Sequence, residues 1–131
     1  MLVVDASAIV DLLLEQPANA VLVKRLTSAE ELHAPHLLDV EVLSVIRRLC
    51  LNGSLSGDAA TAAVHNFKLL PISRYPHEPF LDRVWHLRDV LTAYDAVYVA
   101  LAETLGLTLV TSDTKLGRTH GHGATVESYA R

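Results

Sequence analysis

Met1-Leu2-Val3-Val4-Asp5-Ala6-Ser7 opens the chain and sets its architecture. Met1 to Val4 is a short apolar run, rich in β-branched residues. Such a run reads as a strand buried on both faces, the kind found in parallel sheets covered by helices. Asp5 ends the strand. Ser7 is the expected cap of a helix that begins near Ala8 and carries Ile9, Val10, Leu12, Leu13 and Leu14. Pro17 marks the end of that helix or the following turn. A carboxylate placed after a buried strand projects into the crevice where parallel α/β sheets bind ligands.

The same alternation continues downstream. A second short helix is expected over Ala18 to Leu26. His33-Ala34-Pro35 is a weak strand signal, with Pro35 keeping it short. From Leu37 the period turns helical, and Val40, Leu43, Ile46 and Leu49 form one apolar stripe. Glu41, Ser44 and Arg48 lie on a neighbouring face, and Asn52-Gly53 stops the helix. Ser56 caps a helix to Phe67. Leu69-Leu70-Pro71-Ile72 reads as a short strand, and Pro76 to Leu87 as a helix with an irregular start. Thr92 caps a helix in which Asp95 takes the third position, an acidic form of the capping box. Val97, Leu101 and Leu105 repeat every four residues, Ala93 and Ala100 add a small-residue face, and Gly106 ends the helix. Leu107 to Thr111 is a clear interior strand. Asp113 caps a short helical turn through Leu116, stopped by Gly117, and Ala124-Thr125-Val126 is a last strand. The fold class is α/β, with a parallel sheet covered on both faces.

Composition narrows the function. The 131 residues suffice for one domain, 1–131, and half of them are hydrophobic, enough for a core. The formal net charge of -4 is not that of a general nucleic-acid binder. It leaves a nuclease open, because bound cations offset acidity at the site. The single cysteine, Cys50, forms no internal disulfide and reads as a small buried hydrophobe. Leu2 to Val4 is too short for a secretory segment, and no run approaches a membrane span, so a cytoplasmic protein is expected.

Four acids stand out: Asp5, Glu41, Asp95 and Asp113. Three of them fall at a strand end or a helix start. Each has a bland reading. Asp5 and Asp113 can be caps, Asp95 an acid favoured by the helix dipole, and Glu41 a solvated surface residue. As a set they suggest hard-cation chemistry, because clustered carboxylates repel unless Mg²⁺ or Mn²⁺ sits among them. Such a site can activate water and stabilise charge on a phosphoryl group. Ser7, Thr111 and Ser112 are supporting hydroxyls beside Asp5 and Asp113. Arg47, Arg48, Arg88, Lys115 and Arg118 are candidate phosphate contacts, with solvated surface as their ordinary alternative. Tyr94 or Tyr98 can stack a base or pack in the core, and Tyr98 is the better core candidate. The seven histidines carry no His-Glu-x-x-His. His120-Gly121-His122 is a weak metal motif. There is no Gly-x-x-x-x-Gly-Lys loop and no Gly-x-Ser-x-Gly.

Four motifs in order resemble one family. Val3-Val4-Asp5-Ala6-Ser7, Glu41 with Val42-Leu43-Ser44 and Arg47-Arg48, the run Tyr94-Asp95-Ala96-Val97-Tyr98-Val99-Ala100-Leu101-Ala102-Glu103, and Leu109-Val110-Thr111-Ser112-Asp113 with Leu116 resemble a VapC-type toxin of the PIN-domain ribonuclease family. The resemblance covers nearly the whole chain and is weakest over Ser54 to Leu91. It implies a three-layer α/β/α domain with a central, mostly parallel sheet. It implies a Mg²⁺-dependent endoribonuclease, the toxin of a type II toxin-antitoxin pair. Its metal ligands and catalytic acids would be Asp5, Glu41, Asp95 and Asp113. It implies structured RNA, transfer or ribosomal, as substrate, an antitoxin encoded beside the toxin, and a homodimer. The dimer contact is expected on the helices from Ala18 or from Ser56. Two other readings stay open: a non-catalytic PIN-like module binding RNA or protein, and a Mg²⁺-dependent small-molecule phosphatase. The second lacks the Asp-x-Asp of the common covalent mechanism, having Asp5-Ala6-Ser7 instead.

Overall fold

A computed structural model describes residues 1–14 and 19–130. Strand β1 (Leu2–Val4) is wholly buried and sits at the centre of a five-stranded sheet. With β2 (Leu32–Pro35), β3 (Ile72–Tyr75), β4 (Thr108–Thr111) and β5 (Val126–Ser128), the order is β3-β2-β1-β4-β5. Every pairing is parallel, so the sheet is more uniform than the mostly parallel one expected. The chain winds outward from β1 in both directions. The order therefore reverses between β1 and β4, and the crevice beyond their carboxyl ends is where such sheets place ligands. Val4 pairs with Val110, which puts Asp5 and Thr111 side by side at that edge.

Helices cover both faces, giving three layers. Helices α1 (Ala6–Leu14), α2 (Ala20–Thr27), α3 (Leu37–Leu51) and α4 (Gly57–Leu69) pack around α1. Helix α6 (Ala93–Leu105) lies against β1, β2 and β4, and α5 (Leu81–His86) packs on it. All residues from Ala96 to Ala102 are buried, because α6 is covered on several sides. Gly106 closes the helix at φ 65°, and the Leu107 amide reaches back to the Ala102 carbonyl at 3.1 Å. A left-handed residue at that position favours glycine. No helix among the described residues is long and apolar enough to cross a membrane.

Several elements differ from the sequence expectation. The buried face of α3 is Leu38, Val42 and Ile46, while Val40 and Leu43 are exposed. The i, i+4 row faces the core, and each fully buried Leu or Val contributes roughly 1.5–3 kcal/mol. Helix α1 begins at Ala6 and is capped by Asp5, not Ser7: the Ala8 amide donates to Asp5 Oδ1 at 3.1 Å. Helix α4 runs on to Leu69, so β3 starts only after Pro71, whose ring nitrogen has no proton to donate to a sheet. Strand β5 starts at Val126 instead of Ala124. The segment after Pro76 forms a 3-10 turn (Glu78–Phe80) before the short α5. Cys50 is only partly buried, on the wall of a groove between α3 and α4. Helix α2 starts at Ala20, with Asn19 before it; Pro17 and Ala18, on which the expected α1 end and α2 start fell, lie outside the described residues.

Other expectations hold. Ser56 caps α4 by accepting the Ala59 amide at 3.1 Å. Thr92 caps α6 by accepting the Asp95 amide at 3.2 Å. Asp113 caps α7 (Thr114–Gly117) by accepting the Lys115 amide at 2.8 Å.

Candidate functional site

Asp5 is the innermost acid. It is buried at the end of the central strand and all its contacts are donors. Ser7 Oγ donates to Oδ1 at 2.7 Å, the Ala8 amide donates to the same oxygen, and Thr111 Oγ1 donates to Oδ2. Burial nevertheless pushes the Asp5 carboxyl up to about 6, against those hydrogen bonds, and the charge of Asp95 adds to the rise. Asp5 is thus both a helix cap and a desolvated acid in the crevice. The bland reading and the chemical one describe the same side chain.

The three supporting hydroxyls form a frame between β1 and β4. Ser7 Oγ accepts the Ser112 amide at 2.9 Å and lies 3.2 Å from Thr111 Oγ1. Thr111 Oγ1 accepts the Asp113 amide at 2.9 Å. Ser112 Oγ donates to Asp11 Oδ2. The turn carrying Asp113 is therefore tied to α1 by side chains, which fixes one acid relative to another.

Asp95 links the remaining acids. It is half-buried at the start of α6, and desolvation raises its carboxyl, with the charge of Asp113 adding to this and the Thr92 hydroxyl opposing it. Glu41 on α3 is also raised, first by desolvation and then by the charge of Asp95, while the Tyr98 hydroxyl opposes the shift. Tyr98 Oη donates to Glu41 Oε1 at 2.6 Å. So Asp5 and Glu41 each feel the charge of Asp95, and Asp95 feels that of Asp113, although the four come from separate elements. Ion pairs elsewhere join Arg25 to Glu127, Arg74 to Asp39 and Arg83 to Glu103. Among the described residues none of the four acids has such a cationic partner.

The donor set suits a hard divalent ion: carboxylates without an Arg or Lys partner among the described residues, with Asp5, Glu41 and Asp95 raised by burial and hydroxyls nearby. Side-chain closure around an ion is incomplete. Among the described residues, no group of three or more His, Cys, Asp or Glu side chains is gathered tightly enough to hold one. Asp5, Glu41, Asp95 and Asp113 are the residues that would hold it.

The candidate phosphate contacts separate. Arg48 lines the hollow that also contains Glu41, Ser44 and Tyr94. Arg47, one residue along, faces the apolar groove with Leu43, Ile46 and Cys50 and is not brought to the acids. Arg88 stacks over Trp85, 4.7 Å from the ring centroid. Lys115 and Arg118 are exposed on and just after α7, beside Asp113. None of these five is in an ion pair among the described residues, so each is available to an anion. His120 is exposed, and His122 Nδ1 accepts the Ala124 amide, a loop contact rather than a ligand pair.

Two residues escaped the sequence reading. Tyr98 is a core residue, as expected, yet its hydroxyl also holds Glu41. The signal was its position one turn from Asp95. Asp11 is fully buried and accepts from Asn19 Nδ2 at 2.8 Å as well as from Ser112. A charge within Ile9-Val10-Asp11-Leu12-Leu13 was the available clue.

Comparison with known proteins agrees with this geometry. The PIN domain family profile matches residues 2–121. The chain belongs to the PIN domain family. Its relatives are of the VapC type. Ribonuclease VapC12 of Mycobacterium tuberculosis is 44% identical over 130 residues, covering 99% of this chain and 100% of that protein. Ribonuclease VapC9 of the same organism is 43% identical over 119 residues, covering 91% of each. The crystal structure of Mycobacterium tuberculosis VapC20, described as a sarcin-ricin loop cleaving toxin, shares the fold at a TM-score of 0.68 and 16% identity, covering 89% of this chain and 93% of that one.

Proposed function

We propose that residues 1–131 act as one metal-dependent endoribonuclease unit, the toxin of a type II toxin-antitoxin pair, working in the cytoplasm on structured RNA such as transfer or ribosomal RNA. The observation that carries this reading is the set of four carboxylates, Asp5, Glu41, Asp95 and Asp113, linked by their charges and without an Arg or Lys partner among the described residues. The similarity to ribonucleases along the full chain supports the substrate class.

Asp5, Glu41, Asp95 and Asp113 are assigned to hold Mg²⁺, or Mn²⁺ in its place. When bound, such an ion supplies charge neutralisation for phosphoryl oxygens and acidifies water. The chain's own residues do the rest. Ser7 and Thr111 keep both Asp5 oxygens in fixed positions. Tyr98 keeps one Glu41 oxygen occupied and leaves the other for a ligand. Arg48, Arg88, Lys115 and Arg118 contact the RNA backbone around the acids. Arg47, turned toward the α3–α4 groove, makes no contribution to that surface.

A structured RNA pool incubated with Mg²⁺, Mn²⁺ or excess chelator tests the assignment. Cleavage should require the metal and vanish in Asp95→Asn, with discrete 5′ ends in one RNA class. Full activity in Asp95→Asn protein sinks it. A homodimer and a small antitoxin belong to the same proposal. Light scattering at micromolar protein reads the first, and copurification with the neighbouring gene product reads the second.

A further inference from the structure

Three depressions run in series from the acids along the face between α3, α5 and α6. The first, about 390 Å³, holds Glu41, Ser44, Arg48 and Tyr94. The second, about 200 Å³, shares Leu37 and Tyr94 with the first and adds His77, Leu81 and Val84. The third, about 420 Å³, shares Leu81, Val84 and Ala93 with the second and adds Trp85 and Arg88. We propose that this track binds unpaired nucleobases of the RNA substrate, with Tyr94 and Trp85 as stacking surfaces. The proposal rests on the ribonuclease reading and names the part of the RNA that the site takes.

The chemistry of the track points to bases. Tyr94 is 63% exposed and Trp85 68%, the two aromatic rings among the large exposed hydrophobics. Base stacking on such rings is tolerant of sequence and is how single-stranded segments are held. Structured RNA offers such bases in loops and bulges. Between the rings lie the aliphatic walls of Leu81 and Val84. One polar group is set there. His77 Nε2 accepts the Leu37 amide at 2.9 Å, which places the proton of the neutral ring on Nδ1 as a donor for a base edge.

Charge argues for a strand rather than a second copy of the protein. Arg48 stands at the acid end and Arg88 at the far end, and neither is in an ion pair among the described residues. A protein covering this face would bury both guanidinium groups, which is costly unless a carboxylate meets each. A nucleic-acid strand brings one phosphate with every base. Arg88 over Trp85 already forms a cation–aromatic platform of the kind that adds to base stacking. The track also ends at Glu41, so a strand lying in it reaches one of the four carboxylates.

Trp85 is the only tryptophan of the chain, so its fluorescence reports directly on the far end of the track. The experiment uses Asp5→Asn protein in chelator, to prevent cleavage, titrated with a mixed-sequence single-stranded hexaribonucleotide or with an abasic strand of the same length. The base-bearing strand should quench Trp85 saturably and bind more tightly than the abasic one. Adding Tyr94→Ala should weaken binding by roughly tenfold or more, while Tyr94→Phe should not. Equal quenching and affinity from the abasic strand overturn the proposal, as does unchanged affinity in Tyr94→Ala. Emission that shifts on protein dilution and ignores RNA also overturns it, and assigns the face to self-association. Tyr94→Ala cleaving structured RNA at the normal rate and affinity removes the track but leaves the ribonuclease reading in place. Failure of the unsubstituted protein to bind or cut any RNA removes both.

Discussion

Tyr98 Oη on α6 donates a 2.6 Å hydrogen bond to Oε1 of Glu41 on α3. The tyrosine is 1% exposed, and burial together with Glu41 raises its pKa, so the hydroxyl keeps its proton. The bond joins the helix that carries Asp95 to the helix that carries Glu41. Tyr98→Phe removes the donor while keeping the ring. Glu41 is then left half-buried without the Tyr98 donor, and the folded state should lose about 1–2 kcal/mol. RNA cleavage should fall more than the stability change accounts for, because Glu41 is no longer fixed. Urea unfolding and single-turnover cleavage at saturating metal measure the two effects, and wild-type cleavage in Tyr98→Phe refutes the role.

Asp5 makes stability depend on pH in a defined direction. Its folded carboxyl lies at about 6 against an ordinary 3.8, so the folded state holds the proton more tightly than the unfolded chain does. The stability gained from protonation is fully present below about 3.8 and is lost as pH rises through about 6. The full difference corresponds to roughly 3 kcal/mol. In chelator, the contribution of Asp5 favours folding at pH 5 over pH 7.5. Asp5→Asn removes the charge and should be more stable than the parent at pH 7.5, with a shallower pH slope across that window and no RNA cleavage. The remaining slope comes from Glu41 and Asp95, which are raised in the same sense. An Asp5→Asn protein with an unchanged slope contradicts the account.

Much of this was legible in the chain because each signal was local. Leu2 to Val4 and Leu107 to Thr111 are apolar runs too short for helices, and Thr92, Ser56 and Asp113 cap the helices that follow them. The positions of Asp5, Asp95 and Asp113 were legible for the same reason, being a strand end and helix starts. What failed was decided by packing. Val40 and Leu43 looked like part of a stripe, but α1 and β2 meet α3 along Leu38, Val42 and Ile46. Arg47 and Arg48 are adjacent in sequence and stand on different surfaces, since neighbouring positions on a helix are about 100° apart. The link from Ser112 to Asp11 spans 101 residues, and the sequence carries no pattern for it.

Metal should relieve the repulsion among the acids. A divalent ion that binds only the folded protein raises stability with concentration, by about 2.7 kcal/mol at a hundred times its dissociation constant. Mg²⁺ or Mn²⁺ should raise the melting temperature of the wild type over that in chelator, and Ca²⁺ should do so less, because it favours larger and more flexible oxygen cages. Asp95→Asn should remove most of the metal response while melting near or above the metal-free parent. Differential scanning fluorimetry across a metal titration reads both, and an undiminished response in Asp95→Asn locates the ion elsewhere.

The arginines give a final, graded prediction. The net charge of -4 provides no general attraction for RNA, so binding rests on a few cations that are in no ion pair among the described residues. Arg48 shares the hollow of Glu41, and Arg88 sits on Trp85 beyond it. Each phosphate contact removed should lower the slope of log affinity against log salt by about one unit or somewhat less. Arg48→Ala and Arg88→Ala should therefore weaken binding most at low salt and converge on the parent at high salt. Metal-dependent stabilisation should be retained in both, because neither is a ligand. Arg47→Ala is the internal control: its side chain lines the α3–α4 groove among Leu43, Ile46 and Cys50, away from the acids. Its salt slope should match the parent's. Filter binding of one structured RNA to cleavage-deficient protein at several salt concentrations decides the matter. A drop in slope for Arg47→Ala equal to that for Arg48→Ala would mean that the RNA wraps around α3 instead of following the face that joins Glu41, Tyr94 and Trp85.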